Sequence, residues 1–142
     1  MPALDIDAGS LSISNNANLK SISGFNNTHF ASSISIGGNP KLVSISGFDS
    51  LRQVLAVLGG GFGIGGNDAL TSLPAFGALI TTPNLRIVNN PALLALDGFP
   101  SLTQVIGDFQ ISNNESLKTI NGFSKLTSIS GVERIILNSA LI

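Results

Sequence analysis

The stretch Gly59-Gly60-Gly61-Phe62-Gly63-Ile64-Gly65-Gly66 spells a formal G-x-G-x-x-G from Gly61 to Gly66. That spacing suits dinucleotide binding when a helix N-terminus follows the glycines and holds the pyrophosphate. Here Asn67-Asp68-Ala69-Leu70-Thr71-Ser72-Leu73 follows, and it reads as the corner of a repeat, so no cofactor is expected. His29 is the only histidine and the chain has no cysteine, so neither a metal site nor a Ser-His-Asp constellation can be assembled. Asp5, Asp7, Asp49, Asp97 and Asp108 do not recur at the spacing of a calcium loop. Two formal glycosylation sequons stand at Asn26-Asn27-Thr28 and Asn114-Glu115-Ser116. The second uses an Asn that belongs to an internal repeat and is expected to be buried. No acid, base and nucleophile converge, and the expectation is a protein that is not an enzyme.

What the chain does have is periodicity. An x-I-x-x-N-x-x-L-x-x-I-x-G-F-x-x-L pattern recurs with its Asn at Asn16, Asn39, Asn67, Asn90, Asn114 and Asn138, in steps of 23, 28, 23, 24 and 24 residues. A fixed period of this length marks a solenoid whose coils stack on one another. Ile13, Ile36, Ile64, Ile87, Ile111 and Ile135 precede the Asn, and Leu19, Leu42, Leu70, Leu93, Leu117 and Leu141 follow it. A Phe column follows at Phe25, Phe48, Phe76, Phe99 and Phe123. A Leu column then runs through Leu51, Leu79, Leu102 and Leu126, with polar Thr28 breaking it in the first copy.

Apolar residues alternate with small polar ones, as in Ser12-Ile13-Ser14, Ser21-Ile22-Ser23 and Ser44-Ile45-Ser46. This is the period of a half-buried strand. Gly, Asn, Pro and Ser recur too often for a helix. The sequence therefore predicts an all-β, right-handed parallel β-solenoid of about six coils of 23–24 residues, with three short strands per coil. Residues 1–142 form one solenoid domain, with a partial coil at 1–10, a Gly-rich insertion at 55–63 and an incomplete last coil at 133–142. The Asn column should be a buried ladder that satisfies corner backbone groups, and the Phe column a stacked spine.

The run Gly98-Phe99…Leu102…Val105…Gly107…Ile111…Asn114…Leu117…Ile120…Gly122-Phe123 resembles the repeat of receptor L domains, a divergent branch of the leucine-rich repeats. The resemblance covers about residues 11 to 142. It implies a coiled solenoid and a recognition role of the kind carried on secreted or surface proteins of bacteria and protists. The absence of cysteine departs from the disulfide-stapled receptor versions.

Charged residues make up only 11 %, against a typical ~25 %. Net charge is −1 and the seven basic residues are scattered, so neither nucleic acid nor a membrane surface is an expected partner. No apolar run approaches the ~20 residues of a membrane span. A surface of Ser, Thr, Asn and Gly fits an extracellular or cell-surface protein. Met1-Pro2-Ala3-Leu4-Asp5-Ile6-Asp7 carries acids where a signal peptide has basic residues.

The expected function is a non-enzymatic recognition or adhesion module for a protein or carbohydrate ligand. Its binding face is placed on the second strand of each coil, at Ser21, Ser23, Ser44, Ser46, Ser72, Thr119 and Asn121. The insertion at Gly59, Gly60, Gly61 and Phe62 is read as a surface loop that carries specificity. The alternative is a structural subunit that polymerises end to end through Leu4, Ile6, Ile135, Leu137, Leu141 and Ile142. A second alternative, ice binding, needs regular polar rows that Pro74, Ala95, Asp97 and Asn121 interrupt.

Overall fold

The computed structural model describes residues 9–55, 59–73 and 76–142. Leu4 and Ile6 lie outside the described residues. In chain order the described strands are β1 (Ser10–Ser14), β2 (Ser21–Ile22), β3 (Phe30–Ala31), β4 (Ser33–Gly37), β5 (Ser44–Ile45), β6 (Gln53–Val54) and β7 (Phe62–Gly65). β8 (Thr81–Thr82), β9 (Leu85–Val88), β10 (Gln104–Val105), β11 (Phe109–Ser112), β12 (Ser128–Ile129) and β13 (Glu133–Ile136) follow.

They form a parallel β-solenoid of about five turns. The first sheet has six strands in the order β1-β4-β7-β9-β11-β13, and another has five in the order β12-β10-β8-β6-β3. The remaining face is sparser. It holds the β2-β5 pair and single-residue bridges linking Ser72, Ala95 and Thr119. Pairing is in register with the repeat: Ile13, Ile36, Ile64, Ile87, Ile111 and Ile135 stand opposite one another along the first sheet.

Two turns per coil follow from two sequence spacings. In N-x-x-L the Leu N–H donates to the Asn carbonyl three residues back, at 3.0 Å for Leu42, Leu93 and Leu117. In F-x-x-L the same closure recurs, at 3.0 Å for Leu51 and Leu126. Thr28 uses it as well and sits fully buried in the Leu column, so it substitutes in that column and does not interrupt the coil.

Just before each ladder Asn the chain must enter the left-handed region. Asn15, Gly38, Gly66, Asn89, Asn113 and Leu137 all have φ between 55° and 67°. Asn and Gly tolerate this conformation and Leu does not.

The interior is apolar and aromatic. Phe25, Phe48, Phe76, Phe99 and Phe123 stack with centroid separations of 4.8, 5.2, 5.5 and 5.3 Å. The spacing is close to the ~4.8 Å inter-strand repeat, so each coil adds one ring to the spine. Beside this spine runs the Asn ladder. Asn39, Asn67, Asn90 and Asn114 are completely buried. The Nδ2 of Asn90 reaches the Ile64 carbonyl at 3.2 Å, the Val88 carbonyl at 3.1 Å and Asn114 Oδ1 at 3.3 Å. Asn114 Oδ1 also accepts the Asn90 backbone N–H at 3.1 Å. Asn16, expected to be buried, is exposed in the first coil, yet it keeps both bonds to Asn39 Oδ1 at 3.0 Å.

Phe62 corrects the sequence reading. It opens β7 and is buried, edge-on to Phe76 at 4.7 Å and Phe99 at 5.6 Å. The insertion therefore ends before Phe62, and of its residues Leu55 and Gly59 to Gly61 are among those described.

Candidate binding face on the first sheet

Alternation in the first sheet points one side chain in two outward. The outward row is Ser12, Ser35, Gly63, Arg86, Gln110 and Arg134, in register across six strands. A parallel row is Ser14, Gly37, Gly65, Val88, Ser112 and Ile136, of which Ser112 is buried. Both rows reach glycine at β7. A Cβ on Gly63 would meet nothing within 4 Å, so open space lies above it.

The result is a trough along β7. Two adjoining depressions of about 280 and 380 Å³ share Ser35, Gly63 and Arg86. Rows two strands apart place the walls ~9–10 Å from one another, and the six residues from Gly61 to Gly66 span ~17 Å. Gly59 and Gly61 of the insertion line one end, and Gly66 and Asn89 the other.

Coil four supplies the polar wall. Arg86 stands at its centre and meets Asp108 at 3.6 Å, with the two side chains 56 % and 35 % exposed. A solvated pair of this kind contributes ~0–1 kcal/mol, so the guanidinium is readily shared. Asn84 Oδ1 accepts the Asp108 backbone N–H at 2.8 Å on the coil-five side. Its Nδ2 is thereby turned toward coil three, where a Cβ on Gly61 would lie 3.4 Å from it. Asn89 Oδ1 accepts from Asn113 Nδ2 at 2.9 Å, again from coil five, and Asn89 lines the end of the trough beside Gly66. Neighbouring strands satisfy themselves along the strand. Ser12 and Ser14 hydroxyls lie 3.3 Å apart, and Gln110 Nε2 donates to Ser112 Oγ at 3.0 Å.

The second-strand face is less continuous. Ser21, Ser23, Ser44, Ser46 and Ser72 are exposed and Thr119 is half-buried. Ser21 pairs with Ser44, and Ser72 reaches Thr119 through Ala95. Asn121 leaves the row, because it begins a 3-10 turn at Asn121–Phe123 in which Gly122 packs against the Leu96 carbonyl. Among the described residues a depression on this face, at Ser72, Leu73, Ala95 and Asp97, is about 80 Å³.

At the last coil, Ile135, Leu137 and Ile142 are exposed and Leu141 packs partly against the core. Gly61 to Gly66 run through β7 into a corner that closes as the Leu70-to-Asn67 turn, so no helix follows the G-x-G-x-x-G spacing. Among the described residues no three His, Asp or Glu side chains cluster as a metal set. The sequence reading passed over Asn84, Arg86 and Asn89. The position before each repeat Ile is outward by alternation, and reading that column would have found Gly63 beside Arg86.

Comparison with protein-family models, with curated proteins and with solved structures gives no match.

Proposed function

We propose that the chain is a non-enzymatic recognition module of an extracellular or cell-surface protein, with its ligand seated on the outer face of the first sheet. One observation carries this reading: the most continuous sheet of the solenoid is notched by glycines at β7, and charged and amide groups of coil four border the notch. A grooved, weakly charged face is a surface for docking, and it lacks a set of groups for bond-breaking chemistry. The resemblance of the repeat to receptor L domains supports the same reading, as does a composition with 11 % charged residues.

Glycan and peptide arrays probed with wild type and Gly63→Leu test it. The substitution fills the trough from a position with open space above it. Binding by wild type that is lost in Gly63→Leu, with unchanged circular dichroism, is the expected result. Binding that survives in Gly63→Leu would place the ligand elsewhere.

The polymerising alternative has its own observation. The Asn ladder is polar, each Asn donating its N–H and Nδ2 to the Oδ1 of the next coil. Among the described residues the ladder thus runs from the Asn16 carboxamide oxygen at one end to the Asn138 donors at the other. A depression of about 420 Å³ beside Phe123 and Ile129 and the exposed Ile135 and Leu137 lie at the donor end. Head-to-tail stacking of the 142-residue chain would extend the ladder. Light scattering that shows polymers dispersed by Ile135→Glu supports stacking, and a clean monomer rules it out.

A further inference from the structure

We infer that the trough over β7 takes an acidic glycan, one carboxylate of which is held by Arg86. The inference rests on the reading of this trough as the binding surface and assigns the class of ligand.

The argument begins with ladders that coil three interrupts. On the outside of the solenoid, carboxamides bond from coil to coil, as Asn113 does to Asn89. Below Asn89 the next position is Gly66, and below Asn84 it is Gly61. Neither glycine offers a side-chain acceptor. Arg86 likewise stands beside Gly63, and among the described residues its ion pair lies on the other side, with Asp108. Asn84, Arg86 and Asn89 of one coil, with Val88 between the last two, therefore line one wall of a trough whose floor holds glycine.

Such a wall fits a ligand rich in acceptors, and the charged donor at its centre fits a carboxylate. Ser35 on the opposite wall supplies a hydroxyl that both donates and accepts, which suits sugar hydroxyls. The known modes of peptide capture are poorly served. They need a free sheet edge, an apolar groove, an aromatic-lined channel or a cluster of arginines. The trough lies mid-sheet between β4 and β9, holds no exposed aromatic ring and has one arginine. An extended polyhydroxylated chain that carries carboxylates satisfies the wall, the floor and the ~17 Å length together.

Short oligogalacturonates are the probe, measured by calorimetry against wild type, Arg86→Gln, Asn89→Asp and Gly63→Leu. The same oligomers with carboxyls reduced to alcohols, and poly-glutamate, are the comparisons. The expected result is binding that weakens with added salt. Carboxyl reduction and Arg86→Gln should each weaken it at least tenfold, Asn89→Asp should weaken it, and Gly63→Leu should abolish it. All three variants should keep wild-type circular dichroism. Equal binding of the reduced oligomers, or no change in Arg86→Gln, overturns the assignment. Equal, Arg86-dependent binding of poly-glutamate overturns it in favour of an acidic peptide. If no glycan binds while another array ligand is lost in Gly63→Leu, the ligand class is wrong and the binding face stands. If Gly63→Leu alters no binding at all, both fall.

Discussion

Replacing Asn90 with Ala removes one rung from the middle of the ladder. Asn90 Oδ1 is the acceptor for the buried Asn67 N–H at 3.3 Å, and Asn90 Nδ2 serves the Ile64 and Val88 carbonyls. The buried Asn67 N–H loses its partner, while Val88 keeps the Gly66 N–H at 3.2 Å and Ile64 stays within the β7–β9 ladder. At ~1–3 kcal/mol for an unsatisfied buried group, the loss is about 1–3 kcal/mol. That is a large share of the ~5–15 kcal/mol that holds a domain folded. Asn16→Ala is the matched control, because Asn16 makes the same contacts to Asn39 at the exposed end, where water replaces them. It should cost under about 1 kcal/mol. Asn90→Asp should be worse than Ala, since a carboxylate would face the Ile64, Val88 and Asn114 oxygens with no hydrogen to give. Urea unfolding followed by far-ultraviolet circular dichroism measures all three. Equal losses in Asn90→Ala and Asn16→Ala, or an Asn90→Ala variant within 0.5 kcal/mol of wild type (about the smallest ordinary mutational effect), would refute the ladder argument.

Leu137 has φ of 57° and is 70 % exposed in a column otherwise filled by Asn and Gly, so Leu137→Asn should relieve about 1 kcal/mol and raise hydrogen-exchange protection in β13. Phe76→Ala should cost about 3–5 kcal/mol, because its ring touches Phe48, Phe62 and Phe99, whereas Phe123→Ala at the half-exposed end of the spine should cost less. Gly122→Ala would place a Cβ 2.6 Å from the Leu96 carbonyl oxygen and should lower the melting temperature. Gly63→Ala, at an open position, should leave the melting temperature unchanged.

The repeat was legible because each column has one job in every coil. The Ile, Asn, Leu and Phe positions stack on their counterparts, and any change of residue class there would leave a hole or an unpaired amide. Phe62 was misread because it follows three glycines, which mark a loop locally. Only pairing with Leu85 and Ile34 shows that it replaces an aliphatic residue in a strand. Asn121 was placed on a strand by alternation. Close packing of Gly122 under Leu96 tightens the chain into a turn instead. The trough was hidden for a different reason. It arises from residues about 23 positions apart, Gly63 and Arg86, whose juxtaposition needs the strand register and whose types carry no motif.

The most direct test of the first-sheet face as the recognition surface is amide chemical-shift mapping of the labelled chain, titrated with the strongest binder from the glycan and peptide arrays. The account predicts shifts concentrated at Ser35, Gly63, Gly65, Arg86 and Asn89. Shifts confined to Ser21, Ser44, Ser72 and Thr119 on the second face, with the β7 trough silent, would contradict it.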